Sequence, residues 1–160
     1  MRVSQMSPSG PRSWDDRRWE DLTVGDVLVG PGVTVAESHL VTWAGLTGDI
    51  VSLHLNEQYA ATTPFGRRIA HGPFTMSLCL GLLTQTGYFA SVVAWLGLDE
   101  VRASAPVFVG DTIHPEATVV VSRLSSRAGE GIWTLEYAAI NQEDRTVMTF
   151  KSSLLVRTRG

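Results

Sequence analysis

The chain has 160 residues, 44% of them hydrophobic and 18% charged, with a formal net charge of -3 at pH 7. A chain of this length buries about two-thirds of its surface on folding, enough for one well-formed core and too little for two. That balance excludes intrinsic disorder, and the lack of a basic surplus argues against nucleic acid as a partner.

The first 18 residues are polar and rich in Ser, Pro and Arg, with no apolar stretch of the kind a secretory signal carries. They are expected to form a flexible tail, from which Trp14 docks on a neighbouring surface if it docks at all, and residues 19–160 a single domain opening on Trp19. No uncharged apolar run reaches the ~18 residues of a membrane span. The lone cysteine, Cys79, excludes an internal disulfide and a multi-cysteine zinc site, and suits a reducing, cytoplasmic setting.

Val27 to Glu37 carries β-branched residues around a Pro-Gly turn signal and reads as strand or hairpin. Ser38 is the expected N-cap of a short helix that stops at Gly48, and Asn56 the cap of a second from Glu57 to Thr62. Pro73 opens a third helix, running to Thr86 with Gly87 as its stop. That helix is apolar nearly all round, so other elements must wrap it. Four strand-like runs follow: Val101 to Val109, Thr112 to Leu124, Ile132 to Asn141 and Val147 to Arg157. Their short connections imply antiparallel neighbours. The expected architecture is α+β, one curved antiparallel sheet wrapped around one long buried helix.

Two segments carry the chemistry: Gly48-Asp49-Ile50-Val51-Ser52-Leu53-His54, completed by Ala70-His71-Gly72 before the apolar helix, and Pro106-Val107-Phe108-Val109-Gly110-Asp111. Together they resemble the MaoC-like family of (R)-specific enoyl-CoA hydratases and dehydratases, which have the hotdog fold. The resemblance covers residues 20–157 and departs at one point: Val51-Ser52 stands where the family has Asn-Pro. It implies hydration of a trans-2-enoyl thioester of CoA or an acyl carrier protein to the (R)-3-hydroxyacyl thioester, or the reverse. Asp49 and His54 would share one water. A backbone N–H near Gly72, at the positive end of the helix dipole, would polarise the thioester carbonyl. No metal and no redox cofactor is implied, and a homodimer or a higher oligomer of hotdog dimers is.

Other residues keep two readings. Arg67 and Arg68 contact the phosphates of the carrier arm or lie in an ordinary solvated loop. Tyr88, Phe89 and Trp95 line the acyl pocket, meet a second subunit or pack in the core. Val51 and Ser52 shape the loop or touch substrate, and His71 shapes the turn or touches substrate rather than transferring protons. Asp111 reads as a hairpin residue, Cys79 as a buried thiol, and His39 and His114 match no motif. The competing functions are a hotdog acyl-thioesterase and a non-catalytic partner subunit of a hetero-dimeric dehydratase.

Overall fold

The computed structural model describes residues 16–160. Most of the segment assigned to the tail, Trp14 included, lies outside the described residues. Its last two positions pack on the domain: the Arg17 guanidinium sits 4.5 Å from the Tyr88 ring centre, and the Arg18 N–H donates to Asp21 at 2.7 Å. A 3-10 turn, Trp19–Asp21, follows. Trp19 lies against β5, where its carbonyl accepts the Trp133 indole N–H at 3.1 Å.

The elements in chain order are β1 (Val27–Val29), β2 (Val33–Thr34), α1 (Glu37–Thr47), α2 (Ser52–Leu55), α3 (Glu57–Ala60), α4 (Gly72–Thr84), β3 (Val92–Ala103), β4 (Thr112–Leu124), β5 (Glu130–Ile140) and β6 (Thr146–Arg157). Five strands form one antiparallel sheet in the order β1-β4-β5-β6-β3, and β2 also pairs with β4. The central strands alternate as the pleat requires. Trp133, Leu135, Tyr137 and Ala139 of β5 point inward, as do Ile113, Ala117 and Val119 of β4. Tyr137 stacks on Phe150 of β6 with ring centres 4.5 Å apart.

Helix α4 packs on the concave face of this sheet. Pro73 occupies its first turn, where a missing N–H breaks no intrahelical bond. Phe74, Thr75, Cys79, Leu82 and Leu83 are buried. Met76, Leu78 and Leu80 are only half-buried, so a single chain wraps the helix incompletely. Burial pushes the Cys79 thiol up to about 12, which leaves it inert at neutral pH.

Three expectations change in detail. Of the two readings of the Pro-Gly segment, strand holds and hairpin does not: β1 and β2 both run antiparallel to β4, Val27 opposite Thr118 and Val33 opposite Ile113. The break falls at Gly30, whose missing side chain lets the backbone close on Pro115; a Cβ there would lie 2.7 Å from the proline ring. The strand expected at Val101 to Val109 is β3, which begins nine residues earlier, and residues 105–109 form a loop held by the Ile69–Phe108 bridge and by the Ala70 N–H, which donates to the Val107 carbonyl at 2.7 Å. Three register irregularities against β6, and Glu100 at φ 54°, break the alternation by which β3 would have been read. Finally, α1 begins at Glu37 rather than after Ser38, because the His39 ring nitrogen accepts the Ala36 N–H at 3.0 Å and serves as the cap.

Candidate active site

Helix α1 stops at Gly48, which takes the left-handed conformation (φ 75°) that glycine adopts at little cost. The chain turns there and carries Asp49 clear of the helix end. The Asp49 N–H donates to Thr47 Oγ1 at 3.2 Å, and that hydroxyl donates to the Trp43 carbonyl at 2.7 Å. Two residues later the single turn α2 lifts His54 towards the start of α4. Ser52 holds the first position of α2, a position suited to proline, so the turn forms without the Asn-Pro pair. The Val51 side chain is exposed.

The His54 ring is aimed by its neighbours. Its Nδ1 lies 2.8 Å from the Ile69 carbonyl. A carbonyl only accepts, so Nδ1 carries a proton and Nε2 is the nitrogen left open. His71 is buried at 1% exposure, stacks on His54 with centres 3.9 Å apart, and donates from Nε2 to the Asp49 main-chain carbonyl at 3.0 Å. One polar side-chain atom from each of Asp49, His54 and His71 lies within 4.8 Å of the other two. One water with two hydrogen bonds of about 2.8 Å spans such a gap.

His54 opens on a cavity of about 280 Å³ that runs past Gly72 and Thr75 to Pro106, Val107, Val147 and Met148. The first N–H groups of α4 have no intrahelical partner, and Pro73 contributes none, so Gly72 and Phe74 supply the open donors. A Cβ on Gly72 would meet nothing nearer than the Met148 methyl at 3.9 Å. The space beside that N–H therefore belongs to the cavity.

The remaining candidates lie apart. Arg68 is held by Glu37 in a bidentate pair at 2.6 and 2.8 Å and by Glu57 at 2.7 Å, tying α1 and α3 to the segment before α4. Its guanidinium is therefore committed to the fold, and Glu37 is held below the usual carboxylate range by it. Arg67 lies over the Phe108 ring at 3.9 Å. Tyr88 packs under Arg17, while Phe89 and Trp95 line a second cavity of about 300 Å³ with Leu80, Tyr137 and Ser152. Within one chain none of these three lines the His54 cavity. Asp111 accepts the Phe108 N–H at 2.8 Å and is a turn residue, His39 caps α1, and His114 lies in β4. Sequence reasoning missed the Ile69 carbonyl, Thr75 and Met148. The Ile69 signal is a backbone atom, invisible in residue identity, and Met148 arrives from the last strand.

The family model for the MaoC like domain matches residues 22–139. Protein MaoC of Klebsiella aerogenes is 36% identical over 100 residues, which is 62% of this chain and 30% of that protein. The 3-hydroxybutyryl-CoA dehydratase of Methylorubrum extorquens is 35% identical over 105 residues, 63% of this chain and 62% of that one. The chain thus spans less than two-thirds of the length of these curated relatives. Among solved structures, the (R)-hydratase from Aeromonas caviae superposes with TM-score 0.69 at 30% identity, covering 84% of this chain and 97% of that one. The fold is the hotdog fold, also seen in solved neighbours. With its helix-capped Asp/His site and a family match over most of its length, the chain belongs to the MaoC-like domain family.

Proposed function

We propose that this chain adds water across the double bond of a trans-2-enoyl thioester to give the (R)-3-hydroxyacyl thioester, or removes it in reverse, on CoA or an acyl carrier protein. The observation that carries the reading is the pairing of Asp49 with a His54 whose Nε2 is left open by the Ile69 hydrogen bond, beside the α4 N-terminus. A water between Asp49 and His54 gives up a proton to one of them while the other orients it. Its oxygen bonds to C3, and the electron pair of the double bond moves through C2 to the thioester oxygen. That enolate oxygen accepts hydrogen bonds from the α4 N-terminus, where the helix dipole favours negative charge. The proton returns to C2 from the same side, so the addition is syn. Names borne by relatives, a 3-hydroxybutyryl-CoA dehydratase and (R)-specific enoyl-CoA hydratases, support the reaction class.

The working unit we infer is a homodimer in the cytoplasm. β3 is an edge strand of 12 residues, and Val93, Trp95, Leu96 and Val101 on it are exposed. An apolar edge of that length is left open to a second chain. A second copy would also cover the half-buried face of α4.

The test follows loss of enoyl absorbance with purified protein and straight and branched trans-2-enoyl-CoA, with chiral analysis of the product. Asp49→Asn and His54→Ala should each lower kcat by about 10²–10⁴-fold, the range for a general acid or base. Full activity in either variant overturns the mechanism. Release of free thiol without loss of the enoyl chromophore would make the protein a thioesterase instead.

A further inference from the structure

His71 touches every part of the site, yet the hydration chemistry above gives it nothing to do. Its main chain belongs to the first turn of α4, since its carbonyl accepts the Thr75 N–H at 3.1 Å. Its Nε2–H holds the Asp49 carbonyl at 3.0 Å. Its face lies against His54, with centres 3.9 Å apart and planes at 29°. Trp43 lies tilted near the same ring, with centres 6.5 Å apart, and in turn meets Phe74.

We propose that His71 is a positioning residue that fixes Asp49 and His54 in register with the N-terminus of α4. The hydrogen bond from His54 to Ile69 leaves that ring one freedom, a swing about the bond, and stacking on His71 removes it. Asp49 stands on a short turn after Gly48, and the bond from His71 anchors its backbone. The base, the carboxylate and the oxyanion donor thus share a single reference point. Aromatic filler is the bland alternative, and the polar atoms argue against it. A phenylalanine would stack equally well, whereas His71 buries an Nδ1 with no partner among the described residues. That arrangement is worth keeping only for the bond made by Nε2.

The kinetic half of this inference rests on the hydratase reading; the geometric half does not. Two substitutions separate the contacts: His71→Phe keeps the stack and loses the donor, and His71→Asn keeps a donor and loses the ring. Each should lower kcat at least 10-fold, towards the ~10²-fold that a misplaced group costs, while KM stays within about 3-fold. In a His54→Ala background, His71→Phe should cost little more, because His71 acts through the pair. Nitrogen NMR of histidine-labelled wild-type protein supplies the readout without substrate or variants. His54 should carry its proton on Nδ1 and His71 on Nε2, and the His54 ring signals should shift or broaden in both variants. A wild-type His71 protonated on Nδ1 instead, or variants with unchanged kcat and unchanged His54 signals, would overturn the proposal. If His54 responds in the variants but wild-type protein never turns over an enoyl thioester, the positioning stands and the reaction assignment falls.

Discussion

Replacing Gly72 by Ala should move stability and catalysis in opposite directions. Gly72 lies at the first position of α4 and is not among the glycines with positive φ, so alanine can adopt its backbone. The new methyl meets only the Met148 terminal carbon at 3.9 Å, an ordinary contact. Gly to Ala at a compatible site stabilises by about 0.4–1 kcal/mol, chiefly by restricting the unfolded chain. For a domain of this size that raises Tm by up to about 4 °C. In the proposed substrate complex the same methyl would occupy the space through which a thioester oxygen approaches to about 2.7–3.1 Å of the N–H. Losing one such donor costs roughly 10²–10³-fold in kcat, or about 2.7–4 kcal/mol of transition-state stabilisation. Thermal unfolding and enoyl-absorbance turnover on one preparation give both numbers. Undiminished kcat would refute the placement of the oxyanion at Gly72, and a lowered Tm would refute the open space described beside it.

Two further outcomes follow from contacts elsewhere. Glu37 is held low in pKa by its hydrogen bonds to Arg68, so that pair contributes stability above the unfolded carboxylate pKa of about 4.3 and loses it as pH falls through the lower folded value. The Tm difference between wild type and Arg68→Met should be constant from pH 7 to about 5 and shrink below about 4; a gap that widens in acid contradicts the assignment. Trp95 is 57% exposed on the edge strand, so Trp95→Arg should leave the fold intact and weaken self-association. A buried aromatic anchor is worth about 2 kcal/mol or more, roughly a 30-fold change in Kd, which sedimentation would resolve; an equally tight dimer in the variant would exclude this edge.

The central strands and α4 were legible because one face of each meets the core and the other does not. β4 matched its expected bounds, Thr112 to Leu124, since its buried positions alternate without interruption up to Val119. β3 was misplaced for the opposite reason. Its apolar residues face an open edge, and its bulges shift the pattern by a residue three times. The sequence window from Val101 to Val109 has the composition of a strand, but Pro106 lacks a donor and Asp111 folds back to take the Phe108 N–H, which makes a loop. Helix α2 is a single turn, too short for any period to show.

The same logic divides the site. Asp49, His54, His71 and Gly72 fall in one stretch of 24 residues, counted from 49 to 72. Their spacing is set by local turns: the Gly48 stop, the turn of α2, the Asn56 cap of α3 and the Pro73 start of α4. Local turns leave marks in sequence, so the proposed reacting groups could be picked out there. The cavity they serve has its far wall built by the β3–β4 loop and by Val147 and Met148 of β6, whose approach depends on the register of the whole sheet. That division carries a functional consequence. On the proposed reaction, the groups that activate water lie on a short segment able to fold the same way on many sheets. The acyl group would then meet walls built by distant strands, so substitutions at Val107 or Met148 should change substrate preference while Asp49 and His54 stay as they are.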